Sequence, residues 1–253
     1  MSVTLAHRVD GPATAPVVVL GPSLGTTWEM WDGLTDALAP RFRVVRYDTA
    51  GHGRSPVPSA PYDVADLAED VLSLVTSLGV DRFAFVGLSL GGAVGQTLAA
   101  SGRVTSLVLC CTVPVFGTAD AWHERAATVR ADGMGAVTGA SLGRWFTDSF
   151  RASEPEEVAR FAAMLDGIDP QGYAACCEAL ARFDATDRLG AIDVPTRVVA
   201  GADDPVCPPD PCRAMATAIP DADLVVLDAS HLASAEQPGP FHAAVLEHLE
   251  KSL

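Results

Sequence analysis

The chain has 253 residues, nearly half of them hydrophobic, enough to bury one large α/β domain or two small ones. Its formal net charge of −15 argues against nucleic acid, which calls for clustered Lys and Arg, and against an anionic membrane surface. No run approaches the roughly 18 apolar residues of a membrane span, and MSVTLAHRVD lacks a basic head followed by an apolar block, so neither a membrane anchor nor a signal peptide is expected.

Residues 3–9 read as an opening strand. Val17-Val18-Val19-Leu20 is a continuous apolar run of the buried parallel type and ends in Gly21-Pro22-Ser23-Leu24-Gly25. Residues 28–38 carry Trp31, Leu34 and Leu38 at helical spacing, and 42–47 read as a strand running into Asp48-Thr49-Ala50-Gly51-His52-Gly53. Residues 63–78 form an amphipathic helix that Asp63 can cap and Gly79 can stop. Then come a strand at 83–86, the turn Gly87-Leu88-Ser89-Leu90-Gly91, a helix at 93–100 and a strand at 104–109. Strands alternating with helices imply a mostly parallel central sheet flanked by helices.

The rhythm changes at Pro114. From there to Arg188 the chain offers helices at 120–132, 135–150, 155–166 and 170–183, separated by Gly, Pro and Asp. Strands return at 196–200 and 224–227, with helices at 210–218 and 241–249. The organisation expected is one α/β core, residues 1–113 and 189–253, interrupted by an all-helical cap at 114–188. Six cysteines, Cys110, Cys111, Cys176, Cys177, Cys207 and Cys212, include two vicinal pairs and no C-x-x-C. They read as reduced, mostly buried thiols of a cytoplasmic protein.

The chemistry centres on Ser89. Residues 87–91 fit G-x-S-x-G in the context of strand, tight turn and helix, which forces the serine into a strained backbone and pushes its hydroxyl out at the sheet edge. A serine needs a base and a group that orients the base. The strand at 196–200 ends in Asp203-Asp204, and the strand at 224–227 ends in Asp228-Ala229-Ser230-His231, so the order Ser, Asp, His follows the chain. Of six histidines only His231 follows a late strand on a loop; His52 is read as bracing its own turn. Side chains of adjacent residues diverge, so one of the two aspartates is the orienting acid; Asp204 is favoured and Asp203 is the alternative. Oxyanion donors are expected from the backbone N–H of Leu90, just after the serine, and of Leu24, in the loop after the second strand.

In the insertion, Trp122, Arg125, Ala126 and Val129 share one helical face. An arginine on an apolar face either meets an anion or snorkels to water at the stripe's edge. Arg125 is the leading anion ligand, Arg144 its rival, and Trp122 and Trp145 are the neighbouring candidates for substrate contact.

SLGTTWEMW (23–31), RYDTAGHGRS (46–55) and GLSLGG (87–92), together with Trp122-His123-Glu124-Arg125, VRADGM (129–134), RWFT (144–147) and GYAACCEAL (172–180), resemble the α/β-hydrolase superfamily, and more closely its 3-oxoadipate enol-lactonases. The resemblance spans nearly the whole chain. Pro22-Ser23 stands where the superfamily usually carries His-Gly, as in the lactonase branch, and Ala50 departs from the Arg usual there. The resemblance implies the α/β-hydrolase fold, with Asp204 in the acid's place three residues after Gly201. It implies cofactor-free and metal-free opening of a small anionic enol-lactone to 3-oxoadipate, in the β-ketoadipate pathway of aromatic catabolism. The alternatives are a general carboxylesterase or perhydrolase-like relative using the same triad, and a non-catalytic ligand-binding protein on the same fold.

Overall fold

The computed structural model describes residues 3–59 and 61–253. In chain order it holds β1 (His7–Asp10), β2 (Val17–Gly21), α1 (Asp32–Leu38, entered through a 3-10 turn at Trp28–Trp31), β3 (Arg43–Tyr47), α2 (Val64–Ser77), β4 (Phe83–Leu88), α3 (Leu90–Leu98) and β5 (Val104–Cys110). Next come five helices, α4 (Ala119–Asp132), α5 (Gly135–Trp145), α6 (Asp148–Ser153), α7 (Pro155–Asp166) and α8 (Pro170–Ala181). The sheet then resumes with β6 (Thr196–Gly201), α9 (Pro209–Ala218), β7 (Ala222–Leu227), α10 (Ala233–Glu236) and α11 (Pro238–Ser252).

The strands form a seven-stranded sheet in the order β1-β3-β2-β4-β5-β6-β7. β1 runs antiparallel to β3, and the other neighbours are parallel. From β2 the chain moves outward to β3, then crosses back to lay β4 on the other side of β2. The strand order therefore reverses between β2 and β4, where open α/β sheets form the crevice that binds ligands at their carboxyl ends. Gly21 is level with Gly87, and Gly201 with Leu227, so the loops after these strands start at matched heights.

β4 is buried along its whole length. Its Phe83, Phe85 and Val86 pack with Val18, Val19, Leu107 and Val108 in one core that extends into α7 and α8 through Phe161, Leu165 and Tyr173. The inserted helices reach the sheet's carboxyl edge: a Cβ on Gly51 would lie 2.4 Å from Gly172 Cα, so α8 meets the 48–53 turn backbone to backbone. Among the described residues, no helix is long and apolar enough to cross a membrane. The six cysteines are free and buried.

Three sequence expectations shift. The opening strand is shorter than residues 3–9. Val3 N–H donates to the Asp70 carboxylate at 2.6 Å and Ala6 N–H to Ser55 Oγ at 2.9 Å, so this stretch spends its donors on side chains rather than on a ladder. The helix expected over 135–150 ends at Trp145 and restarts at Asp148, because Thr147 turns extended and its hydroxyl caps α6 by accepting from Phe150 N–H. The short helix α10, directly after the His231 loop, was not anticipated. By contrast α2 keeps its expected start, where Asp63 and Asp66 form a reciprocal capping box.

Candidate active site

Ser89 stands between β4 and α3 with φ 56° and ψ −113°, a left-handed conformation strained for a side-chain-bearing residue. Two glycines make that turn possible. A Cβ on Gly87 would lie 2.2 Å from Gly91 O, and one on Gly91 would lie 2.1 Å from Gly21 O, so any larger residue would push α3 off the sheet. Thr112 Oγ1 donates to the Ser89 carbonyl at 2.9 Å and Ser89 N–H donates to Cys110 O at 2.9 Å, holding the turn from the end of β5 and the loop after it.

Nδ1 of His231 lies 2.8 Å from Oδ2 of Asp204, and both residues are buried. The other carboxylate oxygen, Oδ1, accepts from Val206 N–H at 2.8 Å and Cys207 N–H at 3.0 Å, so the carboxylate is fixed on both sides. The adjacent Asp203 is exposed. A carboxylate on Nδ1 sets the tautomer that leaves Nε2 free to take a proton. Ser89 and His231 line the same cavity. Among the described residues Ser89 Oγ has no hydrogen-bond partner, which leaves it free to turn toward His231 or a bound ligand.

The loop bearing His231 is stitched to the cap. Ser230 N–H donates to the carboxylate of Glu236 at 2.9 Å, and the same buried carboxylate accepts from the Thr147 hydroxyl and N–H. Ser230 Oγ donates to Arg144 O at 2.9 Å, and Leu232 N–H to Trp145 O at 3.0 Å. Glu236 was missed by sequence reasoning, because its partners lie on a loop and a helix end that meet only in the folded chain.

The cavity has a volume of about 240 Å³ and is lined mainly by apolar groups. Leu24 and Trp122 sit on its wall with Trp145, Phe116 and Val206, and both Arg125 and Arg144 reach it. Among the described residues no Asp or Glu lines it. Arg125 Nε donates to Tyr173 Oη at 2.7 Å and its Nη2 to Ser141 Oγ at 2.7 Å. Burial, and then the charge of Arg125, hold the Arg144 pKa below its ordinary value. Among the described residues the Arg144 guanidinium has no hydrogen-bond partner. Trp122 is fixed by its indole N–H on Phe116 O at 2.6 Å, and Trp145 packs edge-on to Phe161. Tyr173, absent from the sequence-based candidates, is a core aromatic whose hydroxyl orients Arg125.

Leu24 N–H has no acceptor among the described residues, and Leu90, as the first helical residue, has no acceptor within α3. Ser23, also in the cavity wall, has a buried Oγ without a partner among the described residues. One group of metal-ligand composition occurs among the described residues: the donor atoms of Asp204, Cys207 and His231 lie within 4.8 Å of one another. Burial, aided by the charge of Asp204, drives the Cys207 thiol far above its ordinary pKa, so it stands there as a neutral thiol rather than a thiolate ligand.

Residues 16–238 match the family model of the α/β-hydrolase fold. The chain is 36% identical over 245 residues to 3-oxoadipate enol-lactonase 2 of Acinetobacter baylyi, covering 96% of this chain and 92% of that one. The enol-lactonase crystal structure from Burkholderia xenovorans LB400 superposes with a TM-score of 0.96 at 39% identity, over 98% of this chain and 97% of that one. A thermophilic esterase from Thermogutta terrifontis, solved with malate bound, superposes with a TM-score of 0.94 at 31% identity, over 99% and 94% of the two chains. The chain belongs to the α/β-hydrolase family.

Proposed function

We propose that this α/β-hydrolase, an ester or lactone hydrolase, opens a carboxylate-bearing enol-lactone, 3-oxoadipate enol-lactone, to 3-oxoadipate. It would act as a cytoplasmic step of aromatic-compound breakdown. The observation that carries this reading is the pair of guanidiniums, Arg125 and Arg144, on an apolar cavity wall that holds no carboxylate among the described residues. On a protein of net charge −15 such a site is costly unless its ligand brings the negative charge. The enol-lactonase relatives support the lactone, and the esterase solved with malate, a dicarboxylate, supports an acidic ligand.

In the mechanism, the substrate carboxylate meets Arg125 and Arg144 while the lactone carbonyl lies over Ser89. Ser89 Oγ attacks the carbonyl carbon as His231 Nε2 takes the hydroxyl proton, and Asp204 stabilises the resulting imidazolium. The N–H groups of Leu24 and Leu90 hold the oxyanion. Collapse of the tetrahedral adduct breaks the ring C–O bond, and the leaving enolate takes the proton from His231. The enol tautomerises to a ketone, which removes the nucleophile needed for reclosure. Water, deprotonated by His231, then attacks the acyl-enzyme and regenerates Ser89. Trp122, Trp145 and the cap exclude bulk water during these steps.

The test is turnover of 3-oxoadipate enol-lactone against a simple aryl ester by the wild type and Ser89→Ala. The lactone is expected to show the higher kcat/KM, with Ser89→Ala losing on the order of a million-fold in kcat. A preference for the aryl ester would make the protein a general carboxylesterase. Failure of a fluorophosphonate to label Ser89 would make it a binding protein.

A further inference from the structure

We infer that His52 is a positioning residue of the oxyanion hole: its ring holds the turn that carries Leu24 and ties that turn to the arginine-bearing side of the cap. The inference rests on the reading of Leu24 as an oxyanion donor. Ser23 to Thr26 form a four-residue turn, closed by Thr26 N–H on Ser23 O at 3.2 Å. Gly25, third in the turn, has φ 80°, whereas Leu24 is absent from the positive-φ residues. That combination is a type II turn, whose third residue must be left-handed and is therefore usually glycine. Rotation of the peptide between Leu24 and Gly25 would convert it to a type I turn, so the geometry beside the donor needs a fixed partner.

Two contacts supply it, one on each peptide flanking Leu24. Thr26 Oγ1 gives Ser23 O a second hydrogen bond at 2.8 Å, which orients the peptide bearing Leu24 N–H. Gly25 N–H donates to Nε2 of His52 at 3.1 Å, which orients the next one. His52 Nδ1 lies 3.2 Å from Ala50 O, a group that only accepts. The two partners together require the neutral tautomer with its proton on Nδ1 and a lone pair on Nε2. The ring is fully buried, and burial holds its pKa down at about 4, which keeps that lone pair available near neutral pH.

The other side of the ring stacks on Tyr173, with centroids 6.4 Å apart, and the Tyr173 hydroxyl is the acceptor for Arg125. The cap also presses on the same turn, since a Cβ on Gly25 would lie 2.5 Å from Leu165 and 3.1 Å from Tyr173. A phenyl ring would fill this space without the desolvation cost of an imidazole. What the imidazole adds is an acceptor aimed at the Leu24–Gly25 peptide. An oxyanion donor is effective because it is already aligned and needs no reorganisation in the transition state. His52 therefore braces the oxyanion loop as well as its own turn.

The experiment has a wild-type arm and a variant arm. In the ¹⁵N-labelled wild type at pH 7, His52 Nε2 is expected to resonate as an unprotonated nitrogen, and both it and the Gly25 amide are expected to move when an aryl boronic acid forms its tetrahedral adduct. A proton on Nε2, or no movement of either signal, overturns the inference even if no variant folds. In the variant arm, kinetics on a neutral aryl ester and boronate inhibition are compared for His52→Leu and His52→Gln. His52→Leu should lose roughly ten- to a hundred-fold in kcat with KM within about twofold, less than the 10²–10³ for outright loss of a donor. Its boronate affinity should fall by the same factor, and His52→Gln, whose amide oxygen can accept, should recover much of both. Unchanged kcat and boronate affinity in folded His52→Leu overturn the inference. So does a loss shared equally by kcat, KM and melting temperature with no rescue by Gln. If Ser89→Ala were active, or boronate bound regardless of Ser89, the hydrolase reading itself would fail, while the wild-type tautomer and Gly25 hydrogen bond would still be observed.

Discussion

Arg144→Met is the sharpest probe of the acidic-substrate reading. Arg125 is a poor probe because its guanidinium also holds Tyr173 and Ser141, so its loss would perturb the cap as well as the ligand. The Arg144 guanidinium has no such partner among the described residues, and it shares the cavity wall with Arg125, whose charge it feels. Methionine replaces it with an unbranched apolar side chain beside Trp145, so the melting temperature should hold or rise. For the enol-lactone, one charge-assisted hydrogen bond is lost, about 1.5–3 kcal/mol. At 1.4 kcal/mol per decade this lowers kcat/KM by roughly ten- to a hundred-fold, chiefly through KM. A neutral aryl ester should be turned over within about twofold of wild type, because Ser89, His231 and Asp204 are untouched. Steady-state kinetics on the two substrates, with a thermal melt, decide the matter. Equal losses on charged and neutral substrates would refute the reasoning and make Arg144 a structural element of the cap.

Three further outcomes are expected. Asp204→Asn should lose roughly ten-thousand-fold in kcat, since it no longer holds the His231 tautomer, whereas Asp203→Asn should stay within about tenfold; the reverse ranking in ester hydrolysis would move the acid to Asp203. Ser23→Ala removes a buried hydroxyl that has no partner among the described residues, so it should stabilise the fold by about 1 kcal/mol and raise the melting temperature by roughly 2–4 °C. A drop in melting temperature would show that the hydroxyl is satisfied in the fold. His52 titrates at about 4 in the native protein against 6.5 ordinarily, so the unfolded chain binds its proton first as pH falls. Its contribution is fully present above pH 6.5 and lost between 6.5 and 4, roughly 3 kcal/mol over that window. Urea unfolding of His52→Gln should therefore weaken less than wild type between pH 7 and pH 4, with His242 and His248 common to both; parallel losses would contradict a neutral buried His52.

The sequence by itself determined those features whose causes are local. A serine between a strand and a helix with glycines at 87 and 91 has one way to turn, because any Cβ at either position would strike backbone about 2 Å away. Asp63 starts α2 through donors two and three residues on, and uninterrupted apolar runs such as residues 83–86 are strands buried on both faces. The chain order of Ser89, Asp204 and His231 followed from where those strands end. Tertiary structure decided everything that depends on two segments meeting. The pairing of His231 with Asp204 rather than its neighbour depends on how the loops after β6 and β7 face each other, since adjacent side chains diverge and composition cannot rank them. Helical periodicity put Arg125 on an apolar face, but only the approach of α8 and the end of α5 sets Tyr173 and Arg144 beside it. The dual role of His52 was hidden for the same reason: its turn is local to residues 48–53, while the Gly25 N–H that it accepts lies 27 residues away in sequence. Hydrogen bonds between such distant groups leave no period or composition in the sequence, because their partners come together only when the β2 and β3 strands are laid side by side.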